Sequence, residues 1–165
     1  RLKSLAQWYG CNVFQKLKSL SIFLLSFALD RITKMLALKF LTTTPLPVCY
    51  GLNVVLSWNP GVSWSMFSTL SPMGFLILYG VQSLMIAAFG VYAFLRARQN
   101  KSVLFELLVL GGSVSNMVDR VAWGAVLDFI ELYVSMYSWP IFNVADACIV
   151  IGIVGIFVRT WRAST

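Results

Sequence analysis

The chain has no histidine, and only six of its 165 residues are acidic. Without an imidazole, Ser-His-Asp and Cys-His nucleophilic catalysis and any histidine-ligated zinc are excluded. Cysteine is sparse as well: Cys11, Cys49 and Cys148 are dispersed, odd in number and lack C-x-x-C spacing. That argues against a disulfide framework or a thiolate metal site and leaves three small packing residues. No metal or cofactor is expected. Charged residues make up 12% of the chain against 59% hydrophobic, too little polarity for a soluble domain of this size. The net charge of +7 does not mark a nucleic-acid binder, because the basic residues sit at the ends of apolar runs rather than in one patch.

What is present is a set of long apolar segments. Four of them, at about 19–40, 72–95, 102–118 and 140–158, approach the ~20 residues needed to cross a bilayer. Residues 1–18 are basic and resemble the head of a signal peptide, but no A-x-A-like cleavage site follows the first apolar run. That run is therefore expected to be a retained span. The chain starts at Arg1 rather than methionine, which leaves open whether residues precede it. With no internal repeat or low-complexity linker, residues 1–165 are expected to form one domain. The expected fold is an all-α polytopic membrane protein with four transmembrane helices, a small extracytoplasmic β element and an interfacial segment.

Basic residues set the direction of insertion. Arg1, Lys3, Lys16, Lys18, Arg96, Arg98, Lys101, Arg159 and Arg162 flank one side, against Arg31, Lys34, Lys39 and Arg120 on the other. Both termini are thus expected in the cytoplasm, with 41–71 and 119–140 outside. Val48–Trp58 is rich in β-branched and aromatic residues after Pro45 and Pro47, and predicts one or two strands on the membrane surface. Tyr133, Tyr137 and Trp139 favour the headgroup layer and predict an interfacial helix over 130–139.

The acids stand out against this background. A charge at a helix centre costs roughly 2.5–3.5 kcal/mol on insertion scales, so intramembrane carboxylates are functional candidates by default. Asp30, Lys34, Asp119, Arg120, Asp128 and Asp146 all fall near the outer face. Asp30 and Lys34, at i and i+4, are spaced to neutralise each other, and Arg120 is placed to hold a loop or a carboxylate. Glu106 is expected at the cytoplasmic interface and Glu131 on a solvated loop. Asp146 has no charged neighbour in its span and shares a helical spacing of three with Asn143. Asp128 and Asp146 together offer what aspartyl hydrolysis needs, two carboxyls sharing one proton. A small transporter or proton-coupled subunit using Asp30, Asp119 and Asp146 is the alternative, and a purely structural membrane protein a further one. Gly111-Gly112 predicts close helix packing, and Trp58-Asn59-Pro60-Gly61 a turn.

The ordered blocks Asp30-x-x-Thr33-Lys34, Asn59-x-Gly61-x-x-Trp64-Ser65, Gly111-Gly112-x-x-x-Asn116-x-x-Asp119-Arg120, Val126-Leu127-Asp128-Phe129 and Phe142-Asn143-x-Ala145-Asp146 resemble bacterial lipoprotein signal peptidase (signal peptidase II). The resemblance spans about residues 20–155. Trp64, where phenylalanine is more usual, and Ser115, where glycine is, depart from the pattern. The resemblance implies a membrane aspartyl endopeptidase that cleaves diacylglyceryl-modified prolipoproteins just before the lipidated cysteine. It implies Asp128 and Asp146 as the catalytic pair, with Asp30, Lys34, Asn59, Gly61, Asn116, Asp119, Arg120 and Asn143 as supporting or substrate-binding residues. It further implies prolipoprotein substrates, contact with membrane lipids, inhibition by globomycin-like cyclic peptides, no nucleic-acid partner, a monomer, and residence in the bacterial cytoplasmic (inner) membrane.

Overall fold

The computed structural model describes residues 2–61 and 71–165, with side chains for 20–61, 71 and 73–165. Trp64 and Ser65 lie outside the described residues. Four helices, α1 (Leu2–Phe40), α2 (Pro72–Arg98), α3 (Leu104–Trp123) and α4 (Val144–Ser164), carry most of the chain. Between them run strands β1 (Leu46–Cys49), β2 (Leu52–Asn59), β3 (Val126–Val134) and β4 (Tyr137–Ser138). The strands form one antiparallel sheet in the order β1-β2-β3-β4.

Local chemistry sets the helix ends. Ser71 caps α2 by accepting the Gly74 N–H, with Pro72 in the first turn where its missing N–H costs nothing. At the end of α3, Gly124 takes φ 73° and donates its N–H to the Arg120 carbonyl, a left-handed cap that glycine adopts without a Cβ penalty. Asn143 caps α4 in a reciprocal box with Asp146.

Several boundaries differ from the sequence expectation. The third span was expected to end at 118, but α3 runs on to Trp123 and keeps Asp119 and Arg120 inside the helix. The fourth was expected from 140, but α4 begins at Val144 because Asn143, with φ −127° and ψ 179°, is its cap. The expected interfacial helix over 130–139 is instead the β3–β4 hairpin, because backbone pairing with β2 outweighs what the aromatic residues favour in isolation. One or two strands were expected over Val48–Trp58; β2 falls there, while β1 begins earlier, at Leu46, and takes in Pro47.

Polar and charged groups share the interior with apolar ones, while the outside of the helices is apolar. Among the described residues, Ser26, Asp30, Lys34, Glu106, Ser115, Asn116, Asp119, Asp128 and Asn143 are buried, while Leu24, Leu25, Met35, Leu76, Leu84, Phe94, Ile151 and Phe157 are exposed. Met73–Arg98 and Val144–Ser164 are long and apolar enough to cross a membrane; α1 and α3 carry the buried charges. Glycine lets the helices approach. A Cβ on Gly112 would lie 2.5 Å from the Ala145 carbonyl oxygen of α4, and one on Gly111 2.8 Å from the Phe23 carbonyl oxygen of α1. The close packing expected of this pair is what the fold contains.

Candidate active site

Asp128 lies on β3, not in a loop, and Asp146 lies in the first turn of α4. Asn143 joins them. Its Nδ2 donates to Asp128 Oδ1 at 2.6 Å, and its backbone N–H donates to Asp146 Oδ2 at 3.2 Å. Sequence spacing placed Asn143 and Asp146 on one helical face. They meet instead through the capping box, in which Asn143 Oδ1 accepts the Asp146 N–H at 2.9 Å. The outer oxygens have their own partners: Asn59 Nδ2 donates to Asp128 Oδ2 at 3.1 Å, and Asn116 Nδ2 to Asp146 Oδ1 at 2.8 Å. Burial and then the neighbouring Asp146 carboxylate push Asp128 up to about 7, against hydrogen bonds from Asn59 and Asn143 that favour its charged form.

Beneath the pair, Lys34 is fully buried and every one of its ammonium donors is used. Nζ lies 2.7 Å from each of Asn116 Oδ1, Asp30 Oδ2 and Asp119 Oδ2. Asp30 also accepts from Ser115 Oγ at 2.6 Å and from the Ala145 N–H at 2.8 Å, which ties α1 and α3 to the start of α4. Asp119 receives Arg31 and, at 3.3 Å, the Leu127 N–H just before Asp128. The expected Asp30–Lys34 pair is thus part of a cage of one carboxamide and two carboxylates around the ammonium, and a lone buried ion left uncompensated would be costly. Arg31, read from sequence only as an orientation charge, is part of it; its packing over Trp123, 5.6 Å from the ring centre, leaves no sequence signal. Ser115 likewise has its role only through Asp30.

Arg120 donates from Nη2 to the Gly61 carbonyl at 2.9 Å, and Asn59 Oδ1 accepts the Gly61 N–H at 3.1 Å. Arg120 therefore holds the turn that carries Asn59, one of the two roles expected of it. Glu106 departs from expectation: it is fully buried near the start of α3, gripped by both terminal nitrogens of Arg159 and by Arg96 Nε at 3.2 Å. Glu131 is on β3 rather than a loop and accepts from Asn53 Nδ2 at 2.9 Å and Ser138 Oγ at 2.7 Å. Asp30, Asp119 and Glu106 are paired with cations; among the described residues Asp128, Asp146 and Glu131 are in no ion pair. A cavity of about 350 Å³, lined by Ser57, Asn59, Asp128, Glu131, Ser138 and Trp139 among others, opens against Asp128. Two adjacent carboxyls fixed by carboxamides, one with its proton held to near neutrality, can activate a water and polarise a carbonyl.

Comparison with known proteins agrees with this chemistry. The family model described as signal peptidase (SPase) II matches residues 22–162. A lipoprotein signal peptidase of Methylobacterium sp. (strain 4-46) is 42% identical over 139 residues, covering 82% of this chain and 83% of that protein. One from Thermodesulfovibrio yellowstonii is 39% identical over 137 residues, covering 82% and 88%. A bacterial membrane enzyme solved by the in meso method superposes with a TM-score of 0.71 at 26% identity over 87% of this chain and 92% of that one. A second shares the fold with a TM-score of 0.75 over 90% of each chain.

Proposed function

The chain belongs to the signal peptidase II family, and on that premise we propose how its residues carry out the family's reaction. It is an integral membrane aspartic endopeptidase that removes signal peptides from prolipoproteins. Asp128 and Asp146 are the catalytic pair. The observation that carries this assignment is Asn143, which bonds both carboxylates at once.

Asp146, which accepts hydrogen bonds from Asn116 and Asn143, takes a proton from a water. The water oxygen bonds to the carbonyl carbon of the residue before the diacylglyceryl cysteine, while Asp128, protonated at neutral pH, donates to the carbonyl oxygen. The C–N bond then breaks as Asp146 gives its proton to the cysteine nitrogen and a hydroxyl of the tetrahedral gem-diol returns its proton to Asp128, so the carboxyls again share one. Asn59, Asn116 and Asn143 orient the pair. Asp30, Lys34 and Asp119 hold the helices that present it, and Arg120 with Gly61 fixes the Asn59 turn.

All four helices cross the cytoplasmic (inner) membrane of a bacterium, with both termini in the cytoplasm. The sheet lies on the outer surface, where exposed Val48, Tyr50, Met136, Tyr137 and Trp139 suit the headgroup layer. The enzyme works as a monomer in contact with lipid, and a globomycin-like cyclic peptide competes at the pair. A proton transporter using Asp30, Asp119 and Asp146 is not favoured, because Asp30 and Asp119 are locked to Lys34 and Arg31.

In a prolipoprotein gel-shift assay, Asp128→Asn and Asp146→Asn are each expected to lose about a hundredfold or more in processing rate. Normal processing by either variant, at parental abundance in the membrane, removes the assignment.

A further inference from the structure

β3 is irregular where it passes the site. Phe129 and Ile130 both donate their N–H groups to the single carbonyl of Phe142, at 3.1 and 2.9 Å, so two residues of β3 oppose one. In a regular strand, Asp128 and Glu131 would point to opposite faces. On the other side of β3 the register with β2 also slips, between Val54 and Ser57; Phe129 and Ile130 both pack with Leu127, and strict alternation is broken between Asp128 and Glu131. These two acids line the same cavity. Glu131 is held in place by Asn53 and Ser138, and no cation among the described residues pairs with it. Those two bonds leave oxygen lone pairs free for a further donor.

We propose that this cavity binds the first residues of the released lipoprotein, and that Glu131 selects a cationic side chain there. The inference rests on Asp128 being catalytic. A hydrophobic signal segment packed at the level of the apolar helices would direct the chain after the scissile bond toward the sheet, past Asp128 and into the cavity that Glu131 lines. A lysine or arginine two or three residues beyond the lipidated cysteine meets a fixed, unpaired carboxylate; an acidic residue meets like charge.

The test uses the full chain in detergent and three lipidated prolipoprotein peptides, identical except for Lys, Ser or Glu at the second and third positions after the cysteine. The ratio of kcat/KM values is taken within each variant, so that differences in abundance or folding cancel. The parent is expected to favour Lys over Glu roughly three- to tenfold, the scale of a partly exposed ion pair, with the preference shrinking as salt rises. Glu131→Gln is expected to bring the ratio near one, and Glu131→Lys to reverse it. A ratio near one in the parent, or an unchanged ratio in Glu131→Gln, overturns the inference. Cleavage of the Ser peptide that disappears in Asp128→Asn shows that such a failure belongs to the cavity alone; if the parent leaves the Ser peptide uncut, both the catalytic assignment and this subsite fall.

Discussion

At the scale of single residues, the six acids fall into two groups by their partners. Asp30, Asp119 and Glu106 are neutralised by lysine or arginine and hold helices together. Among the described residues Asp128, Asp146 and Glu131 are in no ion pair, which leaves them free for the proposed chemistry and recognition. Asp128 illustrates the cost. Its carboxyl is raised from an ordinary 3.8 to about 7, so the protonated form is the one that folding favours. Its contribution to stability is complete below about pH 3.8 and is lost as the pH rises through about 7. Since the mechanism needs that proton, kcat/KM should fall close to tenfold per pH unit above about 7. The Asn59 hydrogen bond favours the charged carboxylate, so Asn59→Ala should move the alkaline limb to higher pH. A pH series of peptide cleavage from 5 to 9 checks both, and a limb that moves down in Asn59→Ala contradicts the role given to Asn59. The candidacy of Asp128 and Asp146 was legible in the sequence because an unpaired carboxylate beside lipid is expensive. Arg31 and Glu106 were not, because a charge near a span end has the same sequence context whether it is solvated or clamped.

At the scale of elements, the site depends on how three segments end or deviate. Asn143 terminates an extended segment and starts α4, so one residue caps a helix and bridges two carboxyls. The irregular pairing on both sides of Phe129 breaks strand alternation beside the cavity, and strand propensity says nothing of it. The α3–α4 contact places Asn116 against Asn143 and Asp146 at the start of α4, and it requires Gly112. Gly112→Ala should lower stability by about 1–3 kcal/mol through overpacking against the Ala145 carbonyl, and lower activity with it. Gly90→Ala on α2, where an added Cβ meets nothing within 4 Å, should be neutral or slightly stabilising. Thermal unfolding of the two variants in detergent separates these outcomes; equal melting temperatures would remove the packing role. The pair Gly111-Gly112 was readable as a packing signal, but which neighbour each one meets was not.

At the scale of the whole molecule, charged groups kept in the interior and wrapped in apolar side chains are the arrangement a bilayer demands. On the proposed topology, which puts the sheet on the outer surface, the exposed Cys49 of β1 should react with a membrane-impermeant maleimide added to intact spheroplasts. Labelling should vanish in Cys49→Ser; labelling of Cys49 only after lysis would reverse the topology. The sequence by itself determined that the chain belongs to a membrane, where its apolar segments lie, that histidine chemistry is excluded, and which few carboxyls are costly enough to be candidates. Those properties follow from composition and from the free energy of transferring each side chain into lipid, which is additive along the chain. Only the tertiary structure decided that Asn143 holds both carboxyls, that Lys34 answers three oxygens from two helices, that Arg159 and Arg96 bury Glu106, and that Glu131 shares a cavity with Asp128. Each of these is a contact between residues far apart in sequence or a local break in strand alternation. The hydrogen-bond geometry that fixes them exists only once the elements have packed.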